Sequence, residues 1–145
     1  MTKERITLFT RCNGLKINIS LNPGVYLFDS WSGSGKSYLC DFIHKYPDLF
    51  YNRCQVITYG HKDVISEEKI IKLSPDILIL DRYDLYAPKY VDLINQLSST
   101  SAVLLDLKVP MYKFPFKYRI ADIIYEDNHL DISDGNMLFE CTNIF

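Results

Sequence analysis

The sequence predicts an α/β protein with a mainly parallel central sheet, helices on both faces, and antiparallel strands at the chain ends. Three observations lead there. Short apolar runs alternate with helix-patterned segments through the middle of the chain, as in parallel strands joined by crossover helices. Runs alternating apolar with polar residues lie near both ends, the mark of half-buried strands. Between a strand-like run and a helix-like run stands Ser30-Trp31-Ser32-Gly33-Ser34-Gly35-Lys36-Ser37, a glycine-rich turn.

In chain order, residues 4–9 and 15–21 alternate with a period of two, and Asn13-Gly14 between them is a hairpin signal. Asn22-Pro23-Gly24 then turns the chain into 25–29, apolar enough for a strand covered on both faces. After the glycine-rich turn, Tyr38, Leu39, Phe42, Ile43 and Tyr46 recur at helical spacing, and Pro47 ends that helix. Residues 53–59 read as a strand and 66–73 as a helix capped by Ser66. Asp76–Asp81 is the strongest strand, with four consecutive apolar residues ending in a carboxylate. A helix at 88–98 takes Pro88 in its first turn, and 102–107 is a further buried strand. Residues 108–118 read as an irregular loop. Then 118–126 and 129–133 form a hairpin across Asp127-Asn128, and Asp134-Gly135-Asn136 turns into a last strand at 137–142.

At 145 residues, with 48% apolar and 14% aromatic side chains, the chain is expected to be one domain, 1–145, with a single packed core. The net charge of −2, with both signs interspersed, leaves no basic patch for nucleic acid or a membrane surface. Cys12, Cys40, Cys54 and Cys141 form no C-x-x-C pair, and His44, His61 and His129 are equally scattered, so no zinc site is expected. The cysteines read as reduced thiols and the localisation as cytoplasmic, and no apolar run approaches the ~20 residues of a membrane-spanning helix.

The chemistry concentrates in the glycine-rich turn. Gly33 and Gly35 free the backbone N–H groups to curl round phosphate oxygens, and the helix that follows aims its positive end at the same anion. Lys36 reaches the β- and γ-phosphates, and the Ser37 hydroxyl coordinates Mg²⁺. The binding segment runs from Ser30 through Tyr38. Asp81, at the end of its buried strand, supplies the carboxylate that holds the Mg²⁺ shell.

These residues resemble the P-loop NTPase superfamily, and within it the nucleotide-binding domain of ABC-type ATPases. Trp31–Ser37 looks like that family's phosphate loop, Ile17–Gly24 like the strand and turn before it, and Pro75–Asp81 like its Mg²⁺-site strand. Ile120–Asn128 is similar to a late strand and turn of the same domain. The resemblance implies a three-layer fold, ATP or GTP with Mg²⁺ as ligands, and Phe9 stacking on the base.

Four departures stand beside it. Ser30 replaces the first glycine, and Arg82 stands where the family has its water-polarising glutamate. The signature loop has no counterpart, since 60–74 is too short to carry its helical subdomain. Lys108 begins the segment where a histidine is expected. Asp84, three residues beyond Asp81, is the substitute base.

The expected function is therefore that of a small nucleotide-binding protein, a slow ATPase or nucleotide-gated switch, working with a protein partner or as a homodimer. The alternative is a degenerate fold kept as a protein-interaction module, such as a phage or mobile-element accessory protein. A small-molecule kinase fits less well, because no Arg-rich lid segment is present.

Overall fold

The computed structural model describes residues 5–12, 14–28, 53–58, 67–83, 90–107 and 116–139. They form β1 (Ile6–Cys12), β2 (Leu15–Leu21), β3 (Gly24–Phe28), β4 (Cys54–Thr58), α1 (Glu67–Leu73), β5 (Ile77–Asp81), α2 (Val91–Leu97), β6 (Ala102–Leu105), β7 (Tyr118–Glu126) and β8 (His129–Phe139). The eight strands join in one sheet, in the order β1-β2-β8-β7-β3-β6-β5-β4. Strands β7, β3, β6, β5 and β4 run parallel. The pairs β1–β2 and β7–β8 are antiparallel, and β2 pairs with β8 in parallel.

Alternation along each strand sends side chains into two separate clusters. Val25 and Leu27 of β3, Leu78 and Leu80 of β5, and Val103 and Leu105 of β6 pack with Ile70 of α1 and Leu93, Ile94 and Leu97 of α2. The residues between them, Tyr26, Phe28, Ile77, Ile79, Ala102 and Leu104, point to the other face. There they meet Ile6 and Leu8 of β1, Ile17 and Ile19 of β2, and Ile123, Leu130 and Ile132 of the β7–β8 hairpin. Residues of both edge strands enter this one cluster, with Cys54 contributed by β4, so the sheet curls round its own concave side.

This corrects the helix-flanked, three-layer expectation. Among the described residues the helices are two and short, and both pack against the same cluster of side chains. The physical reason lies in the alternating runs near the chain ends. They add four strands to the sheet, and curling those strands over buries the second apolar face that a layer of helices was expected to cover. The expected helix after the glycine-rich turn lies outside the described residues, as does the Ser66 cap.

A second correction concerns the C-terminal hairpin. Asp127 and Asn128 both have positive φ (50° and 62°), as a tight hairpin turn requires. The Asp134-Gly135-Asn136 segment, expected to turn, instead continues β8 through a register shift opposite Arg119–Ala121. Pairing with β7 on both sides of the shift keeps the strand whole, and the extra residues are absorbed as a bulge.

The N-terminal ends of the parallel strands are levelled by specific bonds. The Ser101 hydroxyl donates to the Pro75 carbonyl (2.6 Å), and the Gly24 N–H donates to the Ser101 carbonyl (3.0 Å). Gly24 has φ +149°, a conformation that favours glycine at this turn into β3. Arg53, just before β4, pairs with Asp76, just before β5.

The wing formed by β1, β2, β7 and β8 has its own clasp. Arg5 grips Asp134 through Nη2 (2.7 Å) and Nη1 (3.3 Å), and its Nε donates to the Ser20 hydroxyl (2.6 Å). Asn22 adds a third donor to Asp134 (3.0 Å), and the Tyr26 hydroxyl donates to the Asn22 carbonyl (2.8 Å). Partial burial penalises the Asp134 carboxylate, but the Arg5 hydrogen bond and charge outweigh it and hold the pKa below its ordinary 3.8. For Tyr26, burial first and the Asp134 charge second push the phenol up to about 12.

Two outcomes follow from this packing. Leu104→Ala, at a fully buried site, is expected to lower unfolding free energy by about 2–5 kcal/mol, while Ile124→Ala on the exposed side changes it by less than about 0.5 kcal/mol; urea denaturation checks both. Because the folded pKa of Asp134 lies below the unfolded one, its stabilisation is complete above pH ~4 and fades as pH falls through the folded value. Asp134→Asn should therefore cost about 1 kcal/mol at pH 7, with the difference from wild type shrinking in acid, as read from pH-dependent denaturation curves.

Candidate functional site

The parallel strands direct their C-terminal ends to one edge of the sheet, and Asp81 lies there. Leu27 of β3 and Leu80 of β5 both pair with Leu105 of β6. The next residue along each strand therefore falls in one row: Phe28, Asp106 and Asp81. Two strand spacings separate β3 from β5, about 10 Å. The segment Ser30–Tyr38 begins two residues beyond Phe28. It lies outside the described residues, as does Asp84; what the structure fixes is the strand end from which the chain leaves.

This edge is also a topological switch point. From β3 the chain proceeds toward β4, past β6 and β5; from β6 it proceeds to β7, on the opposite side of β3. In open parallel sheets, the carboxyl ends of strands at such a switch point are where ligands bind. The wing forms a wall beside this edge. Phe28 pairs with Ala121, and β7 runs on to Glu126 before turning, so the hairpin projects beyond the row of Phe28.

Asp81 is half-buried at the end of β5, with β4 on one side and β6 on the other. Alternation from Ile77 and Ile79 puts its side chain on the concave side of the sheet. The residue after it is unusual: Arg82 has φ +54°, a left-handed conformation that costs a non-glycine residue about 1 kcal/mol or more. Asp106 holds this turn. Its N–H donates to the Leu80 carbonyl (3.0 Å) and its carbonyl accepts from the Tyr83 N–H (2.8 Å). Its carboxylate Oδ2 accepts a longer bond from the Arg82 N–H (3.4 Å). Tyr83 is fully buried beneath the turn, and burial raises its phenol to about 12, so it stays protonated.

Phe9 sits apart from this edge. It lies on β1, six strand positions from β5, and is 56% exposed. Its neighbour Leu8 enters the concave cluster, so Phe9 projects from the opposite face to Asp81. The Arg11 guanidinium lies 5.6 Å from the centre of its ring.

Asp106 was not singled out from the sequence, although the signal was there. Ala102-Val-Leu-Leu-Asp106 repeats the pattern of four apolar residues and an aspartate that drew attention to Asp81. Among the described residues no three His, Cys, Asp or Glu side chains cluster as a metal site. An Asp81 carboxylate with phosphate and water oxygens is a donor set that suits Mg²⁺, which takes one or two carboxylates and completes its shell elsewhere. Cys54 is a free cysteine and buried, and burial raises its thiol to about 12, so it is no nucleophile at neutral pH. Among the same residues, no helix is long and apolar enough to cross a membrane. Compared with family models, curated proteins and solved structures, the chain matches none.

The strained turn gives a direct test. Arg82→Val, which places a β-branched residue at positive φ, should destabilise by about 1–2 kcal/mol, whereas Arg82→Gly should be near neutral; thermal denaturation of the two variants distinguishes them.

Proposed function

We propose that this protein binds ATP or GTP with Mg²⁺ at the carboxyl edge of β3, β6 and β5, as a slow ATPase or nucleotide-gated switch. The observation that carries this is the shared edge: the strand leading to Ser30–Ser37 and the strand ending in Asp81 finish in one row with one strand between them. Loop amides and Lys36 would take the phosphates, and Ser37 and Asp81 the metal. Bound Mg²⁺ supplies charge neutralisation on the phosphate oxygens. Phosphoryl transfer asks little of a protein beyond positioning and charge, so a loop, a lysine and a metal carboxylate suffice for binding and for slow turnover. Arg82, beside Asp81, is a cation and accepts no proton from water. Asp84 is the carboxylate left to orient an attacking water.

That same arginine favours a second reading, a nucleotide-responsive protein-interaction module without catalysis. Here the partner, a different protein or a second copy, would sense the bound state. Titration calorimetry with ATP, GTP and Mg²⁺, followed by phosphate release, separates the two. Wild type should gain thermal stability with Mg-nucleotide, and Lys36→Ala should lose that gain; an equal gain in both overturns the assignment of the loop. Tight binding with no phosphate released would favour the second reading.

A further inference from the structure

We infer that Asp106 is a positioning residue for Asp81, an inference that rests on the Mg-nucleotide reading above. Asp106 stands in the row between Phe28 and Asp81 and is 1% exposed. Its three bonds bracket Asp81 from both sides: one to the Leu80 carbonyl before it, two from the Arg82 and Tyr83 N–H groups after it. A strand that simply ended would leave those two N–H groups to solvent and the backbone free to choose its exit. Here the exit is bent through a left-handed arginine, a conformation this side chain adopts only when its surroundings impose it. The Asp106 carboxylate and carbonyl both accept bonds from this turn. The bend turns the chain away directly after Asp81, so the Asp81 carboxylate meets the edge from a fixed backbone.

The chemical consequence is specific to the metal. A carboxylate that holds a Mg²⁺ shell must be aimed, because Mg²⁺ accepts little departure from octahedral geometry. Residues that orient such ligands alter metal affinity about 10–100-fold when removed. Phosphate contacts proposed for the glycine-rich turn would be made by loop amides and Lys36 and would not depend on the Asp106 side chain. Loss of the carboxylate bond, the one of the three that a side-chain substitution removes, should therefore weaken nucleotide binding in Mg²⁺ and leave binding in EDTA unchanged.

The experiment is calorimetric titration of ATP into the full chain, with Mg²⁺ and with EDTA. Asp106→Ala should lose about tenfold or more of the Mg²⁺-dependent gain in affinity. Asp106→Asn keeps an oxygen to accept the Arg82 N–H and should retain the gain. Adding Arg82→Gly to Asp106→Ala should restore it, since glycine holds the left-handed turn unaided. A wild-type gain in Asp106→Ala overturns the inference. So does a gain lost equally in Asp106→Asn, which would put Asp106 on the metal or the water itself, and this arm stands even where the alanine variant does not fold. A wild type that binds no nucleotide overturns the functional reading and this inference together; a binding wild type with unaffected variants overturns the inference alone.

Discussion

Parallel pairing of β3 with β6 on one side and β7 on the other is the constraint on which the rest of the structure depends. Five residues, Gly24–Phe28, carry it, and Val25 to Phe28 are all buried. Because both neighbours are parallel, no tight hairpin can join them to β3, and every connection must cross the sheet. That requirement places the strand after β3, β4, and the strand after β6, β7, on opposite sides of the β3–β6 pair. Alternation along β3 also divides its side chains between the two apolar clusters, so this strand belongs to both halves of the core.

On the far side of β3 the sheet changes character. Strands β7, β8, β2 and β1 are longer and more polar on one face, and their other face is folded over the concave cluster. The Arg5–Asp134 clasp ties three parts of this wing: the lead into β1, the end of β2 and the middle of β8. Ion pairs this exposed contribute little alone. Here the Asn22 donor and the Tyr26 hydroxyl connect the pair to β3, so the wing keeps its angle to the edge where Asp81 ends.

The edge combines a supplied carboxylate, Asp81, with a withheld one, Arg82. On the proposed reading, a cation beside Asp81 suits binding of a polyphosphate better than activation of water. The left-handed turn at the same residue is bonded by Asp106, directly after β6. Two neighbouring strands thus share one turn, which couples Asp81 to the strand in between.

Much of this was legible in the sequence. Period-two alternation in 15–21 and the four-residue apolar runs before Asp81 and Asp106 dictate strands, because no other structure buries those patterns. Asp127-Asn128 dictates the hairpin, because these residues tolerate positive φ. Residue type alone drew attention to the glycine-rich segment and to Asp81, and the strand pattern before Asp81 matches the observed β5. Tertiary structure decided the rest. Periodicity says that a strand has an apolar face but not what covers it, so the curl of the wing over β3–β6, in place of helices, could not be read. A turn signal such as Asp134-Gly135 yields when pairing on both sides of it is worth more than the bend. Asp106 became visible only through register, since its bonds run to residues 23 to 26 positions away, a distance at which sequence carries no signal.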